Sequence, residues 1–230
     1  ERLIATLSKA PKDVFGLINN YQIQCSALQN GTLHCAHNAS GFENLKKRQL
    51  QWKALDAPVD LLSAKETEKL IGTKLYFGAL WDHRAGTIQP LSYCRGLARV
   101  AVAHGAKVHE HSPVLSVKRD KAMWHATTQS GSVKARKILF CTNAYQEDIH
   151  QNSRAKTTII NYFQIVTGII SDDKWESILA NGQGCWDTAS IMTSLRRSTD
   201  QRLILGAMGA PVGLGRGLHL RWAKRKLKSL

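Results

Sequence analysis

The sequence predicts a mixed α/β fold, with an α/β core interleaved with a mainly antiparallel sheet. Helical and strand-like patterns alternate over residues 11–104, whereas short strand-like segments follow one another in 106–142 and again in 190–208. Alternation is typical of α/β cores, and runs of strands separated by turn residues are typical of antiparallel sheets. A chain of 230 residues that is 43% hydrophobic can bury a core in one or two domains.

The helices are predicted from apolar spacing of about 3.6 residues and from their end signals. They cover residues 11–21, 41–55, 64–71, 90–104 and 171–180, with a basic helix at 215–230. Proline opens the first and the fourth of them, as is common in a first helical turn. Ser40 with Glu43, and Ser63 with Glu66, have the spacing of capping boxes, which predicts where the second and third helices begin.

The strands are predicted from short β-rich segments bounded by Gly, Ser and Asp. They cover residues 74–81, 106–110, 113–119, 123–129, 132–135, 137–142 and 157–170. Two hairpins are also expected. One turns at Asn30 and Gly31, the strongest short hairpin signal that a sequence offers, and the other turns near Thr199 and Asp200.

The formal net charge of +15 indicates attraction to an anionic partner or substrate. The densest basic patch is in the last stretch, GRGLHLRWAKRKLKSL, which carries Arg216, Arg221, Lys224, Arg225, Lys226 and Lys228. Leucine and tryptophan alternate with these charges, so the favoured interpretation is a solvated helix whose apolar stripe faces a core. Contact with nucleic acid or another anionic surface is the alternative.

The cysteines and the apolar pattern predict the location. The five cysteines are Cys25, Cys35, Cys94, Cys141 and Cys185. An odd number, spread widely among apolar neighbours, is typical of reduced thiols and not of a disulfide framework. The sequence has neither an apolar run of about 18 residues nor an export-type signal, so we expect no membrane span and a cytoplasmic location.

Two kinds of active site are disfavoured. His34, Cys35 and His37 stand close together, but strand alternation would point Cys35 away from the histidines, and no second ligand pair has zinc-finger spacing. We therefore expect no metal. A serine hydrolase is also disfavoured, because the Gly-x-Ser-x-Gly nucleophile turn is missing from the sequence.

A complete glycine-rich dinucleotide loop is also missing. The nearest candidates are two glycine groups, Gly182 with Gly184, and Gly213 with Gly215 and Gly217. Leu218 stands where the third glycine of the second group belongs, and neither group has the acidic residue about 20 positions on that would hold a ribose. The sequence therefore contains no full fingerprint for the pyrophosphate of a dinucleotide.

A longer segment has a more specific order of features. The segment combines a strand, a Gly-x-x-x-Pro loop, a helix rich in Leu and Ala, and a closing Pro-Val. It reads YFGALWDHRAGTIQPLSYCRGLARVAVAHGAKVHEHSPVLSV. A Thr-x-x-Gly turn and KILFCTNAY follow. This order resembles the middle of the D-amino-acid-oxidase-like (DAO) family of FAD-dependent oxidoreductases, over nearly the whole chain. Within the family, the chain is most similar to the subgroup that acts on a γ-glutamylated polyamine. The segments that resemble those of the subgroup are YFGALWDHRAGTIQPL, CTNAY and RLILGAMG.

The resemblance implies an activity and a cofactor. Members of the family bind FAD and oxidise the C–N bond of a small amine or amino acid, with hydride transfer to the flavin. It also implies an incomplete FAD-binding α/β domain interleaved with a mainly antiparallel substrate-domain sheet. A non-catalytic basic module that contacts nucleic acid or an anionic surface is the alternative function.

The resemblance also implies site residues. Val114 corresponds to a position beside the adenine, and Cys141, Thr142 and Asn143 correspond to a strand end that approaches FAD. Filling a tight junction between strand and loop is the alternative role for Cys141 and Thr142. Arg196 is a candidate for pairing with a substrate carboxylate, and a surface arginine in a polar turn is its alternative. Neither the residues nor the resemblance identifies a general base.

The resemblance divides the chain into four segments. They are 1–75, part of the FAD domain and the entry to the substrate domain; 76–150, an FAD-domain segment with clustered strands; 151–210, the antiparallel substrate-domain sheet; and 211–230, the basic helix. Family members open with a glycine loop and close with a second cofactor-binding segment, which have no counterpart in this sequence. We therefore expect the chain to be a fragment of a larger protein or a truncated gene product.

Overall fold

The computed structural model of the protein describes residues 2–145, 160–209 and 216–229. These residues form two compact units. The first unit comprises Glu1–Val100 with Asn161–Leu230, and the second comprises Ala101–Ile160. The division into four segments stays a prediction, since compactness does not test which domain each segment belongs to.

The described elements confirm a mixed α/β fold. The helices are α1 Arg2–Leu7, α2 Ala10–Asn20, α3 Ala39–Lys53, α4 Ala64–Ile71, α5 Pro90–Ala103, α6 Asp172–Trp175 and α7 Arg216–Ser229. The strands are β1 Thr32–Cys35, β2 Val59–Ser63, β3 Gly78–Asp82, β4 Ser116–Asp120, β5 Met123–Thr127, β6 Ser132–Ala135, β7 Tyr162–Val166, β8 Gly184–Asp187, β9 Thr193–Arg197 and β10 Leu203–Met208. No helix in the described ranges is both long and apolar enough to cross a membrane.

A seven-stranded sheet in the order β2-β3-β1-β8-β9-β10-β7 is the centre of the first unit. The sheet is mainly antiparallel, as predicted, and β1 and β8 form a parallel pair within it. β1 therefore connects a group of strands from early in the sequence with a group from late in the sequence. Parallel neighbours need a long crossover, and here the crossover contains most of the chain.

The two faces of this sheet differ in burial. One face carries Leu33, Cys35, Leu195 and Leu205, which are almost fully buried in the largest hydrophobic cluster together with Ile71 of α4 and Ala223 of α7. On the other face, α3 packs over β2 and β3 through Leu45. We call the part of this second face formed by β8, β9, β10 and β7 the open face. Its residues are Tyr162, Gln164, Val166, Gly184, Trp186, Ser194, Arg196, Ile204, Gly206 and Met208.

The hairpin predicted at Asn30 and Gly31 is wrong. Gly31 does turn the chain with a positive φ of 79°, but β1 pairs with β3 and β8 and not with the residues before the turn. Those residues instead form an isolated bridge, in which Leu28 and Thr87 exchange two backbone hydrogen bonds of 2.9 Å. Local turn chemistry was outweighed by long-range pairing, because β1 has a partner strand on both edges.

The cap predicted for α3 is also wrong. Asn38, not Ser40, is the N-cap residue, and its side-chain oxygen accepts a hydrogen bond of 2.7 Å from the Gly41 amide. Ser40 lies inside the first turn, and Glu43 pairs with Lys46 at 2.8 Å. Both Asn and Ser are good N-caps, so the sequence alone could not rank two candidates that stand two residues apart.

Several other predicted elements are confirmed. The box of Ser63 and Glu66 caps α4, which ends at Gly72 with a φ of 87°. α2, α5 and α7 follow the predicted helices, and β9 and β10 form the hairpin that turns near Thr199 and Asp200. The helix predicted over 171–180 is shorter, since it is regular only from Asp172 to Trp175. The sequence patterns did not identify α1, β2 or β8.

The second unit contains a separate antiparallel sheet in the order β4-β5-β6, which confirms three of the predicted short strands. Two others are wrong, because residues 106–110 and 137–142 are not strands. The side chain of Leu139 in KILFCT is 84% exposed. A strand is stable only beside a paired neighbour, and no described strand pairs with this segment. Residues 157–159 of another predicted strand lie outside the described residues.

All five cysteines are free thiols in this structure. Cys25, Cys35 and Cys185 are buried, whereas Cys94 and Cys141 are exposed. Burial among apolar neighbours raises the pKa of the Cys35 thiol well above its ordinary value, so this group stays protonated and packs as a small hydrophobic residue.

Exchange of Asn38 for Ala should lower the free energy of unfolding by about 1 kcal/mol, because the Gly41 amide loses its acceptor. The matched control is Ser40→Ala, which should change stability by less than about 0.5 kcal/mol, since Ser40 is exposed and caps nothing. Urea unfolding followed by circular dichroism measures both. The reverse order of the two effects would contradict the observed cap.

Candidate functional site

The middle of the open face has a floor of small residues. Gly206 of β10 lies opposite Ser194 of β9, and Gly184 lies in the adjacent strand β8. A Cβ atom on Gly206 would lie 2.6 Å from the Ser194 hydroxyl oxygen, so the floor is already close-packed within the sheet. A cavity of about 250 Å³ lies over these residues and is walled by Trp186, Gln164 and Arg196, among others. A flat group could therefore approach the backbone here.

A second cavity of about 900 Å³ shares Thr87, Arg196 and Ile204 with the first. It extends over the turn between β9 and β10, and its far wall includes Asn181 and Gly182. Arg196 thus lines both cavities, which places its side chain where a bound molecule could touch it from either one.

The guanidinium of Arg196 is half-buried and differs from that of Arg202 in having no anionic partner among the described residues. Burial lowers the pKa of Arg196 from its ordinary value, although an arginine remains charged at neutral pH. No carboxylate among the described residues forms an ion pair with it, whereas Arg202 of the same hairpin donates to Asp200 at 2.8 Å. An unpaired, half-buried guanidinium is well suited to a bidentate pair with a carboxylate.

Arg197, the next residue along β9, points to the opposite face. Its guanidinium lies 3.8 Å from the centre of the Trp175 ring and donates to the backbone oxygen of Leu179 at 3.2 Å. Both arginines line the larger cavity, but strand alternation gives them different roles. Arg197 is held by structural contacts, and only Arg196 also lines the smaller cavity. The sequence did not distinguish them, because the face of each depends on the register of the hairpin.

The loop between β3 and α5 holds Thr87 at the wall of both cavities. The guanidinium of Arg84 donates hydrogen bonds of 2.9 and 2.8 Å to the Asp82 carboxylate, and this pair fixes the start of the loop. The double hydrogen bond between Thr87 and Leu28 fixes its end. Only glycine fits at position 86, because a Cβ atom there would clash with the Leu28 backbone oxygen at 2.2 Å. The glycine of the Gly-x-x-x-Pro segment is thus required for a close backbone approach.

Sequence reasoning missed three polar or aromatic groups of the open face. Tyr162 and Gln164 project from β7 and are exposed, and Trp186 projects from β8 and is half-buried. Tyr162 lies opposite Met208 and Gln164 lies opposite Gly206. The alternation in YFQIV indicates that Tyr162 and Gln164 share one face of the strand. It does not indicate whether that face is buried or open.

The residues predicted to lie near FAD are all in the second unit. Val114 is half-buried just before β4, and Thr142 is half-buried as well. Cys141 and Asn143 are exposed, and Asn143 has a positive φ of 46° at the start of a short 3₁₀ turn. The cavities described above are not lined by these four residues. Their contact with a cofactor therefore stays a prediction, although the strand on which it was based is not formed.

The glycine groups and the HCAH segment can also be placed. Gly184 is in the floor of the open face, while Gly213 and Gly215 lie outside the described residues. His34 stacks on Trp186 with ring centres 5.2 Å apart, whereas Cys35 is buried on the opposite face, as strand alternation predicted. In the parts of the chain that the structure describes, His, Cys, Asp and Glu residues form no group that could hold a metal ion.

The mixed sheet and the helices packed on it define a mixed α/β architecture, and comparison with known proteins defines the family. The model of the family "DAO: FAD dependent oxidoreductase" matches residues 2–225. The chain therefore belongs to the DAO family of FAD-dependent oxidoreductases, as the order of its motifs predicted.

Curated relatives support this assignment. The chain is 30% identical over 196 residues to the probable oxidoreductase OrdL of Haemophilus influenzae. The aligned residues cover 83% of this chain and 45% of that protein. It is 28% identical over 196 residues to γ-glutamylputrescine oxidoreductase of Escherichia coli. Here the aligned residues cover 82% of this chain and 44% of that protein. The chain thus spans about half the length of the curated relatives it matches.

Solved structures show the same fold. Glycine oxidase from Geobacillus kaustophilus has a TM-score of 0.70 at 16% identity, over 92% of this chain and 58% of that one. L-proline dehydrogenase from P. horikoshii also has a TM-score of 0.70, at 18% identity, over 88% of this chain and 55% of that one.

The environment of His34 predicts a pH dependence. Burial, followed by the charge of Arg48, lowers the pKa of His34 from 6.5 to about 4. Between these two values the unfolded chain binds more protons than the folded one, so this group makes stability fall as the pH falls from 6.5 to 4. Its contribution to the slope should be at most about 1.4 kcal/mol per pH unit.

His34→Asn should therefore flatten the dependence of the free energy of unfolding on pH in this range. Urea unfolding at several pH values between 4 and 7 measures the slope of the variant and of the wild-type protein. An equal slope in both proteins would show that His34 titrates in the folded state as it does in the unfolded chain.

Proposed function

We propose that this chain provides the substrate-binding sheet, and part of the cofactor wall, of an FAD-dependent oxidoreductase that oxidises the C–N bond of a small amine or amino acid. The observation that carries the proposal is the unpaired, half-buried guanidinium of Arg196 between two cavities on the open face. Membership of the DAO family supports FAD as the cofactor. FAD, when bound, supplies a hydride acceptor for the carbon next to the substrate nitrogen.

In this proposal the open face binds and orients the substrate. Arg196 pairs with a substrate carboxylate, and the exposed side chains of Gln164 and Tyr162 are available to hydrogen-bond a substrate amine. The small residues Gly184 and Gly206 keep the backbone accessible to a flat ring. These groups position the reactants, which is the main contribution of a protein to flavin chemistry.

The residues proposed to hold FAD are those implied by the family resemblance. Val114 would contact the adenine, and Cys141, Thr142 and Asn143 would let the backbone approach the cofactor. Their short or apolar side chains fit that role, because bulky groups would keep a cofactor away from the main chain.

A γ-glutamylated polyamine is the substrate that we propose within this class. Support comes from the relative in Escherichia coli, whose name specifies γ-glutamylputrescine. A γ-glutamyl group carries a carboxylate, for which Arg196 offers a partner. Glycine or another amino acid would also place a carboxylate there, so the choice rests on the relative and not on the shape of the cavity.

The alternative of a basic binding module gains no specific support. Ala223 of α7 is fully buried in the main core, and Leu227 packs against the same cluster. Leu218 and Trp222 are exposed, so only part of the predicted apolar stripe faces the core. The cytoplasmic location stays a prediction.

The test is to load the purified chain, and a chain extended to include a complete glycine loop, with FAD and then to add an amine substrate. The protein should retain flavin, and the visible flavin absorbance should be bleached as the substrate is oxidised. Arg196→Gln should raise the substrate concentration for half-maximal bleaching by about tenfold or more, since a charge-assisted bond contributes about 1.5–3 kcal/mol.

Arg202→Gln is the matched control, because it removes the same charge from the same hairpin but from an arginine already paired with Asp200. It should leave the half-maximal concentration within about twofold of the wild-type value, as expected for a surface ion pair. Equal effects of the two substitutions would refute the proposed role of Arg196. Flavin retained neither by this chain nor by a chain extended to include a complete glycine loop would refute the proposed cofactor wall.

A further inference from the structure

A third cavity in the first unit is not used by the proposed function. It has a volume of about 680 Å³ and shares Trp186 with the smaller open-face cavity, but it does not include Arg196. Its lining includes His34, Lys47, Arg48, Trp186, Asp187 and Met192. We call it the α3 cavity, because exposed polar residues of α3 form one wall and the ends of β1 and β8 form the other.

The contacts of His34 fix its chemistry. Nη1 of Arg48 lies 3.2 Å from Nδ1 of His34. A guanidinium can only donate hydrogen bonds, so Nδ1 must accept, and the ring proton of neutral His34 is on Nε2. Stacking on Trp186, with an interplanar angle of 24°, holds the ring in place. His34 lines the cavity, and Nε2 carries the one N–H group of its neutral ring.

The charge of the α3 cavity is positive. Lys47 and Arg48 are exposed at its wall, and neither forms an ion pair with a carboxylate of the described residues. Asp187 is the one carboxylate in the lining. It is almost fully buried, and its oxygens already accept hydrogen bonds within the protein. It accepts hydrogen bonds from the Thr193 amide and hydroxyl, and Lys226 lies 4.0 Å away.

The remaining wall is apolar. Leu45, Trp186, Ala189 and Met192 line the cavity beside the charged groups. Inorganic phosphate would use only the cationic side, whereas an organic acid would use both sides. The combination of two cations, a fixed N–H donor and an apolar wall is typical of sites that orient a ligand through a few polar groups.

We propose that the α3 cavity binds a small organic carboxylate, whose charged end contacts Lys47, Arg48 and the N–H of His34 and whose apolar body packs against Trp186 and Met192. The site is separate from the one proposed for oxidation, and binding to it requires no flavin. The two proposals can therefore fail independently.

Isothermal titration of the full chain without FAD tests this site, with phenylacetate as the probe. Lys47→Gln and Arg48→Gln should each weaken phenylacetate binding by about tenfold. Lys46→Gln is the matched control: it removes the same charge from the same helix, but Lys46 is paired with Glu43 and does not line the cavity. It should change the dissociation constant for phenylacetate by less than twofold.

Two further probes identify the ligand chemistry. Phenylacetamide, which has the same body without the charge, should bind at least tenfold more weakly than phenylacetate. Inorganic phosphate should bind more weakly too, since it lacks a group for the apolar wall. Equal binding of either probe, or equal effects of Lys46→Gln and Lys47→Gln, would overturn the proposal. Circular dichroism of each variant confirms that the fold is retained.

Discussion

The pairing of β1 on both of its edges is the constraint on which the first unit depends. Its four residues pair with β3 on one side and with β8 on the other, and Leu33 and Cys35 have no exposed surface. Without β1, the strands β2 and β3 would have no connection to the sheet formed by the last third of the chain. The register of this one strand also decides which face of its neighbours is buried, because side chains alternate strictly along a strand.

The open face follows from that register. Leu195 and Leu205 must face the core, so Ser194, Arg196 and Gly206 must face the other way. The same alternation brings the stacked pair of His34 and Trp186 onto the side of the sheet where α3 packs. Two ligand-sized spaces with different chemistry thus arise from one sheet. One offers a half-buried guanidinium over small residues, and the other offers two exposed cations beside an aromatic pair.

Much of the local structure could be predicted from sequence, because its causes are local. The box of Ser63 and Glu66, the stop at Gly72 and the β9–β10 hairpin all depend on residues within a few positions of one another. The failures have non-local causes. The turn at Asn30 and Gly31 is formed, but the strand after it pairs with distant segments. KILFCT has strand composition without a described neighbour to pair with.

The candidate site was predictable only in part, for a similar reason. Arg196 could be suggested from chemistry, but Arg196 and Arg197 have the same side chain. Only the register shows that Arg196 lines both cavities of the open face, whereas Arg197 stacks on Trp175. The family could be recognised because it depends on the order of motifs. Trp186, Gln164 and Tyr162 depend on which strands become neighbours, and β8 carried too few apolar positions to be recognised as a strand at all.

The parallel pairing of β1 with β8 also has a kinetic consequence. Thr32 pairs with Gly184, about 150 residues further along the chain. Contacts between such distant residues slow folding, because the loop between them must close before the contact contributes stability. A ribosome adds these residues in roughly 10–30 s, during which one edge of β1 has no partner. An unpaired strand edge invites pairing with another chain, so the nascent protein is most exposed to aggregation in the interval before β8 is synthesised.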